Sequence, residues 1–178
     1  MDESKSPKLL TADINLSSVS LLSCDVDGVL TDGGIYYTDE GRELRRFHVH
    51  DGFGIQQLCA AGVIVAFITR SQTPSIEVRA KRLGVSYCFT GVRDKLQCLS
   101  HLIESLGLTF SQVAHVGDDI NDLSVLRHVG ISIAVSNAIP EVLSQCQFVT
   151  QKPGGSGAIR EISDSILLAI ELYKRNSQ

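Results

Sequence analysis

Two acidic clusters carry most of the chemistry in this chain, and each follows an apolar run. Residues 19–24 lead into Asp25-Val26-Asp27-Gly28-Val29-Leu30-Thr31, and residues 113–116 lead into Gly117-Asp118-Asp119-Ile120-Asn121-Asp122. Brought together at two strand ends, the carboxylates of Asp25, Asp27, Asp118, Asp119 and Asp122 would repel one another. Such a gathering calls for a hard cation that accepts oxygen ligands. A carboxylate held there can also serve as a nucleophile that divides one difficult step into two.

The first cluster resembles the opening motif of the haloacid dehalogenase-like (HAD) phosphohydrolases, and the second resembles their fourth motif. Between them, Phe67-Ile68-Thr69 is similar to the second motif, and Lys95, opening a helical pattern, to the third. The four occur in family order from Asp25 to Asp122. Two further segments, Arg46 to Ile55 and Gly154 to Glu161, resemble the capless 3-deoxy-D-manno-octulosonate 8-phosphate (KDO 8-phosphate) phosphatases. That similarity covers nearly all of the chain after residue 18.

The resemblance implies a magnesium-dependent phosphomonoesterase acting on a sugar-acid phosphate, with KDO 8-phosphate as the first expectation. A nine-carbon sugar-acid phosphate, and a catalytically weak binding or regulatory module, are the alternatives. Asp25 is the expected nucleophile, and Asp27 the expected acid and then base. Asp25, Asp118 and the main-chain carbonyl of Asp27 are the expected magnesium ligands, with Asp119 and Asp122 behind them. Thr69 is expected to offer its hydroxyl and N–H to phosphate, and Lys95 to neutralise phosphate and Asp25. Arg70, His50 and Gly155 are further expected substrate contacts. The family pattern has Thr-Gly-Arg where this chain has Thr69-Arg70-Ser71, and Arg where it has His50 and Ser156. Positive contacts to an acidic substrate are therefore lost or moved, and Arg70 stands where it can restore one.

Other histidines and loops invite blander readings. His48, His50 and His115 do not form a recognised zinc set, and His115 lies inside a strand pattern, so packing is preferred. Residues 152–157, Lys-Pro-Gly-Gly-Ser-Gly, read by composition as a linker to the last helix. The resemblance instead implies a tail that reaches a neighbouring subunit's site in a homotetramer.

The elements that must position these residues follow from periodicity. Near-continuous apolar runs at 19–24, 63–68, 112–116 and 131–135 read as buried parallel strands, with shorter ones at 86–89 and 147–150. Helical patterns start at Asp51-Gly52, at Thr73-Pro74 and near Lys95, where Leu96, Leu99, Leu102, Ile103 and Leu106 share a face. Short helices follow near 119 and 138–144, and a last one carries Ile159, Ile162, Ile166 and Ile170 on one stripe. Alternation of this kind gives a parallel α/β sheet with helices on both faces, whose ligands bind beyond the strands' carboxyl ends. Residues 33–48 read as a protruding hairpin, with no insertion long enough for a cap domain.

The chain has 178 residues, 43% hydrophobic and 20% charged, with a net charge of -4. That fits one HAD-like domain at 19–178 behind a flexible leader at 1–18. The mild negative charge makes nucleic acid and anionic membrane poor partners. No apolar run approaches a membrane span, and five cysteines without CxxC spacing fit free thiols in a cytoplasmic protein.

Overall fold

The computed structural model describes residues 8–9 and 14–176. Its main sheet has seven parallel strands. In chain order they are β1 (Lys8–Leu9), β2 (Leu21–Cys24), β5 (Ile64–Ile68), β6 (Tyr87–Phe89), β7 (Val113–Gly117), β8 (Ile131–Ala134) and β9 (Phe148–Val149). A separate antiparallel pair, β3 (Tyr36–Tyr37) and β4 (Glu43–Leu44), forms the hairpin. The helices are α1 (Val49–Ala60), α2 (Pro74–Leu83), α3 (Lys95–Ser105), α4 (Leu123–Leu126), α5 (Pro140–Leu143) and α6 (Ala158–Asn176).

Strand order is β1-β9-β8-β7-β2-β5-β6. The chain leaves β2 in one direction through β5 and β6, then returns to β2's other side with β7. The crevice past the carboxyl end of β2 is thus a topological switch point, where such sheets bind ligands. Asp25, Thr69 and Asp118 each directly follow the strand that ends there.

Side chains alternate across the sheet because strand residues point to opposite faces. Leu22, Cys24, Val65, Phe67, Ala114 and Val116 pack on one face with α1, α2 and α6. Leu21, Ala66, Ile68 and Val113 pack on the other with α3 and α4. Phe67 is fully buried, worth about 2–3 kcal/mol on its own. The expected stripe on α6 holds, with Ile159, Ile162 and Ile166 fully buried. On α1 the large apolar side chains that are buried are Ile55 and Leu58, while Phe53 is half exposed under Arg160. Gly54 lets α1 approach α6, since a Cβ there would come within 2.8 Å of Ser163 Oγ.

Of the leader expected at 1–18, residues 1–7 and 10–13 lie outside the described residues. Lys8–Leu9 pairs with β9 at the sheet edge, and Ile14–Ser18 forms a 3-10 turn whose Leu16 is fully buried. That part of the leader is docked rather than free. The hairpin protrudes as expected, closed at its base by a bridge between Thr31 and Phe47. No separate cap domain is present among the described residues.

Candidate active site

Asp25 leaves β2 almost fully buried, with Oδ1 accepting from Val26 N–H and lying 2.9 Å from Lys95 Nζ. Burial and the nearby Asp122 push its carboxyl up, against the pull of Lys95. A bound cation would reverse that balance in favour of the ionised form. Lys95 starts α3, as expected, and is fully enclosed. Its ammonium also bonds Asp122 Oδ1 at 2.7 Å, and burial, which opposes the charge, is outweighed by Asp25 and Asp122.

Asp118 follows β7 and crowds against the Asp25 loop. A Cβ on Gly28, whose φ is +86°, would fall 2.0 Å from Asp118 Oδ2, so only glycine fits that turn. Asp118 Oδ1 is buried without a hydrogen-bond partner. Burial, Asp122 and Asp119 raise its carboxyl to about 7. One oxygen each from Asp25, Asp118 and Asp122 lie within 4.8 Å of one another. An orphaned buried carboxylate oxygen in a set of hard oxygen donors fits a magnesium site.

Asp122 is the least available member of that set. Its Oδ1 takes Lys95 and, at 3.3 Å, His115 Nε2, while Oδ2 accepts from Asp118 N–H. Although burial opposes ionisation, His115 and Lys95 hold its carboxyl below the usual range. Asp122 therefore orients Lys95 and the Asp118 loop. Asp119 is exposed and caps the following 3-10 turn through Ile120 N–H. His115 packs in the core, as expected, with Nδ1 2.8 Å from Ser23 Oγ on the paired strand.

Thr69 needs a correction. Its N–H donates to Phe89 carbonyl within the sheet, so it is not free for phosphate. Its hydroxyl accepts from Ser71 N–H and keeps its own proton to give. Asp27 is half-buried, and both carboxylate oxygens face Arg45, which follows β4. Arg45 escaped the sequence reading because it sits in a run, Arg45-Arg46, that looks like a solvated hairpin edge. Only the hairpin's fold over the Asp25 loop reveals it.

A cavity of about 140 Å³ is lined by Asp25, Asp27, Thr69, Arg70, Ser71 and the Asp118 loop. It shares Asp27, Arg70 and Ser71 with a groove of about 810 Å³ that runs under the hairpin past Arg42 and Arg45. His50 does not reach either space. It faces a different hollow, with Lys152, Ser156 and Arg160. Gly155 is also elsewhere: its N–H donates to Val29 carbonyl, and a Cβ would strike the Thr31–Asp32 backbone. Residues 154–157 are thus packed on their own chain, fastened further by Asp51, which accepts from Gly157 and Arg160 N–H. Asp51 was read only as a helix opening; its partners are distant in sequence, so no local signal marked it.

Residues 56–162, more than half of the chain, match the haloacid dehalogenase-like hydrolase family. The chain is 43% identical over 153 residues to the KDO 8-phosphate phosphatase of Yersinia pestis, covering 86% of this chain and 82% of that one. The crystal structure of the Yersinia pestis phosphatase superposes with a TM-score of 0.88 at 41% identity, over 92% of this chain and 89% of that one. The Moraxella catarrhalis phosphatase, solved with magnesium ion, phosphate ion and KDO, gives a TM-score of 0.86 at 38% identity, over 92% and 96%. Sheet order, site geometry and these matches agree: the chain belongs to the KDO 8-phosphate phosphatase family of HAD-like hydrolases.

Proposed function

We propose that this chain is a magnesium-dependent phosphomonoesterase that cleaves KDO 8-phosphate to KDO and phosphate through a phosphoaspartate at Asp25. The observation that carries the proposal is the Asp25–Lys95–Asp122 ion network beside the orphaned Asp118 oxygen, opening into a groove walled by arginines. The 140 Å³ cavity fits a phosphate, and the groove beyond it has room for an eight-carbon sugar acid. Arg42, Arg45 and Arg70 match the acid's negative charge.

In this reading the side chains of Asp25 and Asp118 and the carbonyl of Asp27 hold the cation. Bound magnesium supplies charge neutralisation at the phosphate and lowers the cost of bringing two anions together. Asp25 attacks phosphorus, and the bond from phosphorus to the sugar's oxygen breaks. Asp27 gives that oxygen a proton, then takes one from the water that attacks the phosphoaspartate and returns Asp25. Lys95 and the Thr69 hydroxyl hold the equatorial oxygens. Asp122 and Asp119 position Lys95 and the loop.

His50 and Ser156, where the family pattern carries Arg, face the other hollow, so recognition of the acid falls to the groove's own arginines. A nine-carbon sugar-acid phosphate shares that chemistry. Steady-state assays with magnesium on KDO 8-phosphate, a nine-carbon acid phosphate and neutral sugar phosphates test the proposal. KDO 8-phosphate is expected to give the highest kcat/KM; a preference for a neutral sugar phosphate would overturn it.

The proposal extends to assembly. Ile35, Tyr37 and Leu44 on the hairpin and Val49 and Phe53 at the start of α1 are exposed, and apolar side chains left uncovered in this way support a homotetramer. Light scattering showing an active monomer would refute it. Unpaired thiols at all five cysteines support a reducing, cytoplasmic setting, and no described helix is long and apolar enough to cross a membrane. A free sugar phosphate, rather than nucleic acid, is the expected partner.

A further inference from the structure

Arg45 is placed to do more than brace the hairpin. Its side chain is only 3% exposed. Nε and Nη2 both face Asp27, Nη1 pairs with Glu43, and Nη2 also reaches Ser71 Oγ at 3.4 Å. Asp27, Arg70 and Ser71 line both the phosphate-sized cavity and the larger groove, and Arg45 lines the groove beside them. Both Asp27 oxygens are turned toward that guanidinium. An Asp27 so engaged does not present an oxygen squarely to a departing alkoxide in the cavity.

A guanidinium fork accepts any carboxylate of the right geometry. Replacing the carboxylate of Asp27 by one carried on a ligand in the groove keeps the charge count of the pair unchanged. Glu43 stays bonded to Arg45 throughout, and Ser71 and Thr73 link Glu43 to the second-motif loop. The exchange needs a side-chain turn of Asp27, with the ligand's carboxylate taking its place on the guanidinium.

We propose that Arg45 is the specificity-determining residue of the groove, a latch that holds Asp27 until the carboxylate of a sugar-acid phosphate takes its place. The acid group of the substrate then both anchors the sugar and frees Asp27 to face the leaving oxygen. A phosphate ester without a carboxylate leaves the latch closed. This rests on the sugar-acid substrate proposed above, and it assigns to Arg45 the reading of that acid.

The test compares the parent enzyme, Arg45→Gln and Arg45→Lys on KDO 8-phosphate and on glucose 6-phosphate, whose alkoxide leaving group is similar but which has no carboxylate. Arg45→Gln is expected to lose about 10- to 100-fold in kcat/KM on KDO 8-phosphate, the size of one charge-assisted pair. On glucose 6-phosphate its kcat should rise, because Asp27 is released. Arg45→Lys, which keeps a cation for the acid, should recover most KDO 8-phosphate turnover. Equal losses on both substrates, or no loss on KDO 8-phosphate, would overturn the latch and leave the substrate reading standing. A parent enzyme that treats the two substrates alike would overturn both. Thermal unfolding midpoints within a few degrees of the parent's report that the variants are folded.

Discussion

Lys95 is the cation that the buried Asp25 and Asp122 share, so Lys95→Met isolates its contribution. The thioether fills the space of the stem, and a volume-conserving exchange of this kind costs under about 1.5 kcal/mol in packing. The charge is the larger loss. The ammonium sits 2.9 Å from Asp25 and 2.7 Å from Asp122, and all three groups are buried. Breaking a buried pair by removing one partner costs about 3–5 kcal/mol. Urea unfolding in chelator should show that loss, and added magnesium should return more stability to Lys95→Met than to the parent, since it replaces missing positive charge. The sign with pH also follows. Burial and Asp122 push the Asp25 carboxyl up, and Lys95 opposes them. Without Lys95 the folded carboxyl rises further above its unfolded value. Its favourable protonation is complete below that unfolded value and is lost as pH rises through the folded one. Lys95→Met should therefore gain stability relative to the parent as pH falls from 8 to 6. Turnover should drop by about 10²- to 10³-fold. A stability loss under about 1 kcal/mol in chelator, or a kcat equal to the parent's, would refute this reasoning.

Three other outcomes follow from the geometry. Gly28→Ala forces a Cβ into Asp118 Oδ2 at a positive φ, so half-maximal activity should need at least about tenfold more magnesium; an unchanged magnesium titration would count against Asp118 as a ligand. Excess chelator should abolish turnover and magnesium restore it, with zinc a poor substitute for a set of hard oxygens; full activity in chelator would exclude the metal. Burial holds the His115 imidazole below its usual range, although Asp122 pulls the other way. The unfolded chain then takes up a proton near pH 6.5 that the folded chain refuses, so stability present above that value is lost as pH falls. Unfolding midpoints between pH 7.5 and 5.5 should fall less steeply in His115→Gln; equal slopes would disprove the assignment.

Much of this site was legible because its chemistry is written locally. Asp25, Thr69 and Asp118 each follow an apolar run, and a parallel sheet delivers such positions to one edge. Lys95 followed from its place in the motif order that the chain resembles. What the sequence hid depends on contacts between distant segments. Arg45 meets Asp27 only because the hairpin folds back over the β2 loop. Thr69 loses its N–H to Phe89 because β5 pairs with β6, a register that Thr69 itself does not announce. Residues 152–157 look flexible by composition, yet glycine is needed at 154 and 155 because their backbone lies against Gly28 and Thr31. Leu16 in the expected leader is buried, and the short run around it is too brief to show a period that would have marked it.

The measurement that bears most directly on the proposed function is identification of the phosphorylated group. The parent enzyme, mixed rapidly with KDO 8-phosphate and magnesium and quenched in acid, can be treated with borohydride, which reduces an acyl phosphate to the alcohol. Peptide mass spectrometry should then find homoserine at position 25, and none without substrate or magnesium. An unmodified Asp25 during full turnover, or reduction at Asp27 or Asp118 instead, would contradict the assignment of Asp25 as nucleophile.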